Sequence, residues 1–84
     1  MLYQNTPNPF GDATSITYFL ADGVTTGEMV FYDMYGKEIQ RVKLENNGMA
    51  KLDLTTQDLA SGIYSYTLIA DGKVIDTMKM IRAK

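Results

Sequence analysis

The dipeptide Asp71-Gly72 lies between two β-rich stretches near the end of the chain. An Asp-Gly pair between alternating apolar stretches is a strong signal for a β-hairpin, because both central residues of a type I′ turn have positive φ. We therefore predict an antiparallel hairpin from Gly62 to Ile81, which places the basic end of the chain directly after a strand.

Glycines divide the rest of the chain at similar intervals. Gly23, Gly36, Gly48, Gly62 and Gly72 are ten to fourteen residues apart, a spacing typical of short strands joined by turns. No segment of about 10–15 residues has the helical period, which excludes βαβ units. We predict one all-β domain over residues 1–84, an immunoglobulin- or fibronectin-like antiparallel β-sandwich of about seven strands.

Alternation within these stretches predicts which side chains face the core. The expected inward residues are Ile16, Tyr18 and Leu20 in one strand, Met29 and Phe31 in the next, and Ala50, Leu52 and Leu54 in another. Val42 and Leu44 share a phase that Ile39 does not, which predicts a β-bulge or an end contact. Residues 55–61 are expected to form a single helical turn or 3₁₀ crossing.

Two local patterns concern the ends of strands. Pro7, Asn8 and Pro9 predict a stiff turn or edge crossing after a short strand at residues 2–5, because each proline restricts itself and the residue before it. Tyr64 follows Gly62 at the start of a predicted central strand. It is expected to form a tyrosine corner, in which the hydroxyl bonds to the backbone a few residues upstream; the alternative is an ordinary core aromatic.

The composition argues against catalysis and against metal or cofactor binding. The chain has no His and no Cys, which excludes triads built on a His base, thiolate metal sites and disulfides. No phosphate-binding glycine motif occurs. Asp12, Asp22 and Asp71 lie in predicted loops but lack the spacing of a calcium loop. We therefore expect no enzyme activity, no catalytic residues, no metal site and no cofactor.

The charge and hydropathy patterns limit the classes of partner that the chain could bind. A net charge of −2 without a basic stripe makes nucleic acid an unsuitable partner. No apolar stretch approaches the roughly 18 residues of a membrane span, and the first residues do not read as a signal peptide. Six tyrosines offer an alternative glycan-stacking platform, although such residues more often form core and cross-strand pairs: Tyr3, Tyr18, Tyr32, Tyr35, Tyr64 and Tyr66.

Five stretches, in order and covering nearly the whole chain, carry a family resemblance. They are Leu2–Asn5 with Pro7–Phe10, the strand containing Ile16, Tyr18 and Leu20, Phe31–Asp33 with Gly36-Lys37, Leu59–Tyr64, and Asp71–Val74 with Lys79–Ile81 and the basic end. Together they resemble the C-terminal sorting domain of type IX secretion cargo, in the type A form found in the Bacteroidetes.

The resemblance implies a non-catalytic secretion signal, excised here from a larger secreted protein. Such a domain follows an N-terminally fused cargo, waits in the periplasm, and is read by the outer-membrane type IX translocon. A sortase-like cysteine protease then usually removes it by cleavage upstream of Leu2, leaving the cargo at the cell surface or outside the cell.

The resemblance also assigns roles to particular residues. The expected translocon-recognition element is Lys79, Met80, Ile81, Arg82, Ala83 and Lys84. The expected structural residues are Pro7, Asn8, Pro9, Gly36, Gly62, Tyr64, Asp71 and Gly72.

A terminal strand at a sheet edge would present unpaired N–H and C=O groups, so we expect recognition by strand addition or by capture of the C-terminal carboxylate. The same edge would allow two copies to exchange strands as a swapped homodimer. The competing hypothesis is a passive immunoglobulin-like spacer, or an adhesion or glycan-binding module, of a cell-surface protein.

Overall fold

The computed structural model describes residues 1–55 and 59–83. Within them the chain forms six β-strands and no helix. The strands are β1 (Ala13–Leu20), β2 (Gly27–Tyr32), β3 (Glu38–Leu44), β4 (Gly48–Thr55), β5 (Gly62–Ala70) and β6 (Lys73–Arg82). β1 pairs with β4 in one antiparallel sheet, and the other sheet has the order β3-β2-β5-β6. The all-β sandwich is confirmed.

The expected number of strands was too high by one, because residues 2–5 do not form a strand. Leu2 and Thr6 make only isolated bridges, to Tyr18 and Ser15 of β1. Between these two bridges, the backbone N–H of Asn5 donates to the buried hydroxyl of Tyr66 and not to a carbonyl of β1. The backbone pairing with β1 is therefore interrupted at Asn5. The predicted helical turn at residues 55–61 falls partly on residues 56–58, which lie outside the described residues.

Both sheets contribute alternate side chains to one core, as expected for a sandwich. The predicted inward faces are confirmed in β1, β2 and β4: Met29 and Phe31 are buried, and Ala50 and Leu52 pack against the core at the partly exposed edge of β4. Val30, on the other face of β2, is also fully buried. This fits a strand that lies between β3 and β5.

The two irregular positions in the larger sheet are β-bulges. Phe31 pairs with Gln40 and Tyr32 with Glu38, so Ile39 is the extra residue, as the broken phase predicted. A second shift separates the pairs Leu68–Asp76 and Ile69–Val74. Bulges increase local twist, which helps the edge strands β3 and β6 to follow the curvature of the sandwich.

The predicted hairpin is present, and its turn also fixes a neighbouring loop. Asp71 and Gly72 have φ values of 50° and 80°, as a type I′ turn requires. The Asp71 carboxylate accepts hydrogen bonds from the backbone amides of Thr25 and Thr26, at 2.9 and 2.8 Å. These bonds lower the pKa of Asp71. The turn residue therefore ties the β1–β2 loop to the β5–β6 turn.

Candidate recognition site

The predicted recognition residues do not share one surface. Lys79–Arg82 belong to β6, Ala83 follows it, and Lys84 lies outside the described residues. Because side chains alternate along a strand, Met80 is fully buried and Arg82 nearly so, whereas Lys79 and Ile81 are exposed on the outer face of the sheet. The Arg82 guanidinium lies 4.0 Å from the Asp12 carboxylate. Of the predicted recognition residues within β6, only Lys79 and Ile81 therefore have exposed side chains.

β6 is an edge strand, as expected, but its C-terminal half is not unpaired. The amide of Phe10 donates to the carbonyl of Ile81, and the amide of Ala83 donates to the carbonyl of Phe10, each at 2.9 Å. The Asn8 side chain accepts the Ile81 amide, also at 2.9 Å, and the Gln4 side chain donates to the Lys79 carbonyl. The expectation that this part of the edge presents free backbone groups was wrong.

A buried polar network holds the N-terminal segment in this position. The Tyr66 hydroxyl accepts the Asn5 amide and donates to the Tyr3 carbonyl, both at 2.8 Å. Burial raises the pKa of Tyr66 to about 12. The Asn5 side chain donates to the Pro7 carbonyl and to the Thr14 hydroxyl. Pro7 and Pro9 both follow cis peptide bonds. Thr6 pairs with β1 and Phe10 pairs with β6, so the predicted edge crossing is present at Pro7–Pro9.

The tyrosine corner is confirmed at Tyr64. Its hydroxyl donates a 2.6 Å hydrogen bond to the carbonyl of Ala60, while its ring lies in the core. Gly62, between the two residues, has a φ of 152°, a conformation that favours glycine. The corner therefore fixes the path of residues 60–64 into β5.

A groove lies beside this corner, under the β2–β3 turn. We call it the turn groove; it has a volume of about 350 Å³ and is lined by Asp33, Met34, Gly36, Ile63, Tyr64, Ser65 and Lys79. A smaller adjoining hollow of about 200 Å³ adds Tyr35 and Ala60–Gly62. The Asp33 carboxylate accepts the amides of Tyr35 and Lys37, each at 2.9 Å, and Gly36 has a φ of 82°. These contacts fix the turn that forms one wall.

Three stretches that carry the family resemblance meet at the turn groove. Phe31–Asp33 with Gly36-Lys37 supplies the turn, and Leu59–Tyr64 supplies the corner. The stretch Lys79–Ile81 contributes the side of the groove formed by Lys79. The cross-strand pairs bring them together, because Ser65 pairs with both Tyr32 and Lys79. Sequence reasoning identified each stretch but not their convergence, which depends on the register of three strands.

The other candidate sites gain no support from the geometry. Tyr18, Tyr64 and Tyr66 are buried, whereas Tyr35 is exposed at a turn, so the six tyrosines do not form one stacking platform. No group of three or more potential metal ligands occurs among the residues that the structure describes. The described part of the chain also contains no helix long and apolar enough to cross a membrane.

A protein-family model matches most of the chain. The family model for the secretion system C-terminal sorting domain matches residues 6–82, which include the turn groove, Pro7–Pro9 and Lys79–Arg82. The comparison with curated proteins found no match. Because the family model covers almost all of the chain, the protein belongs to the family of type IX secretion system C-terminal sorting domains.

Proposed function

We propose that residues 1–84 act as a non-catalytic sorting domain that follows a cargo in a larger secreted protein. The type IX translocon reads this domain in the folded state, and a sortase-like cysteine protease then removes it. The family match carries this proposal. Membership already implies a signal that lies C-terminal to a cargo, is recognised by the type IX machinery and directs export to the cell surface or beyond.

The contacts of the tail support recognition of a folded domain rather than of a flexible peptide. Met80 is fully buried and Ala83 is hydrogen-bonded to Phe10. A receptor that needed Lys79–Lys84 in extended, solvated form would have to break these contacts and expose core side chains. A receptor that binds the exposed side chains of Lys79 and Ile81 on the folded domain leaves the core contacts intact.

The N-terminal contacts bear on the proposed cleavage position. Leu2 is buried and pairs with β1, and the amide of Tyr3 donates to the carbonyl of Thr17. Proteases bind extended, accessible backbone. Cleavage is therefore proposed upstream of Leu2, after a periplasmic stage in which the domain is already folded.

The experiment fuses residues 1–84 to a periplasm-directed fluorescent protein in a type IX-competent bacterium. Truncation before Met80 would remove a core side chain, so the test uses the double variant Lys79→Gln/Ile81→Thr, which changes exposed side chains. We expect export of the reporter by the parent domain and reduced export by the variant. A parent fusion that stays in the periplasm would contradict the sorting function and favour the spacer or adhesion module.

A further inference from the structure

We propose that the turn groove is the surface that the secretion machinery reads, and that its occupant is an extended receptor segment. This segment would carry an apolar side chain beside a carboxylate. This inference rests on the proposed sorting function, and it specifies which surface of the domain is bound and which chemical groups the receptor supplies.

The C-terminal half of the β6 edge is closed, which directs recognition at this end of the domain to the face of the sheet. Strand addition needs a row of free backbone groups. Gln4, Asn8 and Phe10 already bond to the outward backbone groups of β6 from the Lys79 carbonyl to the Ala83 amide. A partner that binds at this end of the domain therefore contacts side chains on the outer face of the sheet, where Lys79 and Ile81 are exposed.

The surface around the groove is apolar. Met34 is 63% exposed, Tyr35 is 87% exposed and Ile63 is 47% exposed. Ile81 pairs across the strands with Ile63 and continues the same patch. A cluster of exposed large apolar side chains that line a concavity is typical of a protein-interaction site. The groove therefore fits an apolar side chain of a partner.

Two charged side chains line the groove, Lys79 and Asp33. Lys79 has no ion-pair partner among the described residues. The Asp33 carboxylate, which lines the same groove, accepts hydrogen bonds through Oδ1 from two backbone amides of its own turn, so Lys79 is the charged group here that lacks such contacts within the described part of the chain. A carboxylate on the partner would complement the Lys79 ammonium and set the register of the apolar contact.

The groove and the N-terminus lie at opposite ends of the domain. The N-terminus pairs with Phe19, and Met1 lines a different groove with Ala70 and Ile75, next to the β5–β6 turn. The turn groove lies at the opposite end of β5, near Ile63. A cargo joined through Met1 would therefore connect to the domain at the end away from the turn groove.

The test uses the reporter fusion and two pairs of variants matched in chemistry. Met34→Ser/Ile63→Thr alters the groove, and Met49→Ser/Ile75→Thr makes the same changes on other exposed sites. Lys79→Glu reverses the groove charge, and Lys51→Glu reverses an exposed charge on β4. Because loss of a well-packed anchor commonly weakens binding about tenfold or more, we expect export to fall by about that factor for both groove variants.

Thermal unfolding of each purified fusion checks that the variants still fold. Tyr35→Ser serves as a further groove variant, because the Tyr35 side chain is almost fully exposed and its loss should not disturb folding. A photo-crosslinking amino acid at position 35 should form an adduct with a translocon component, which Lys79→Glu abolishes; one at position 49 should not.

The outcomes separate the two proposals. If the parent fusion is exported and both groove variants are exported equally well, the groove is not read although the sorting function stands. Reduced export by only one of the two groove variants would overturn the pairing of an apolar contact with a carboxylate. If the parent fusion is not exported, the sorting function fails and the inference fails with it.

Discussion

The backbone amide of Phe10 donates a 2.9 Å hydrogen bond to the carbonyl of Ile81, and so joins the N-terminal segment to the last strand. The Phe10 ring is 2% exposed and belongs to the core. The same contact closes the C-terminal half of the β6 edge, where the amide of Ala83 donates in turn to the carbonyl of Phe10. The position of Lys79 and Ile81 beside the turn groove thus depends on a residue near the other end of the chain.

Replacing this anchor should weaken the whole domain. Phe10→Ala leaves a cavity in the core and should lower the free energy of unfolding by about 3–5 kcal/mol, a large share of the total for a small domain. Urea unfolding monitored by tyrosine fluorescence measures the change. Phe19→Ala, at a partly exposed aromatic, is the control and should cost clearly less. Equal losses would mean that Phe10 is not an anchor.

The tyrosine corner gives a second, smaller prediction. Tyr64→Phe removes the donor to the Ala60 carbonyl but keeps the ring, so we expect a loss of about 1–2 kcal/mol. Tyr35→Phe, at an exposed hydroxyl, should change the free energy of unfolding very little. Thermal or urea unfolding of both variants measures the difference, and a neutral Tyr64→Phe would show that the corner adds no stability.

The parts of the fold that sequence predicted are those fixed by local patterns. The Asp71-Gly72 turn, the bulge at Ile39 and the Tyr64 corner each depend on residues a few positions apart. The contact of Phe10 with β6 and the bonds of Tyr66 to the N-terminal segment join distant parts of the chain. In the sequence, Phe10 and Tyr66 look like any other aromatic residues. The periodicity of a strand says which face a residue is on but not which distant segment it contacts.

The two Asp-Gly pairs of the chain should respond oppositely to Gly→Ala. Gly72 has a φ of 80°, so Gly72→Ala forces a Cβ into the left-handed region and should cost about 1–2 kcal/mol. Gly23 is not among the positive-φ glycines, and a Cβ there meets no atom within 4 Å. Gly23→Ala should be neutral or stabilising by up to about 1 kcal/mol, through the unfolded chain. Parallel urea unfolding checks the signs, and a destabilising Gly23→Ala would contradict them.

Asp71 should make the stability of the domain depend on pH. Hydrogen bonds from the amides of Thr26 and Thr25 lower its pKa below the ordinary value of 3.8. A lowered folded-state pKa contributes stability that is present above the unfolded-state value and is lost as the pH falls through the folded-state value. Asn tolerates positive φ, so Asp71→Asn keeps the turn but removes this titration. The stability difference between parent and variant should shrink as the pH falls below about 4; a constant difference in urea midpoints would contradict the assignment.

The closed edge of β6 also predicts how the chain associates. With Phe10 and Asn8 bonded to Ile81, two copies cannot exchange or add strands there unless the N-terminal segment is displaced. We therefore expect residues 1–84 to be monomeric in light scattering after size exclusion. A chain that lacks residues 1–10 exposes this edge and an unfilled core site, and should form dimers or larger species that increase with concentration. The expectation would be contradicted by a stable dimer of the full chain. If the Phe10 amide were still protected from hydrogen exchange in that dimer, the two copies would associate through another edge strand, such as β3 or β4.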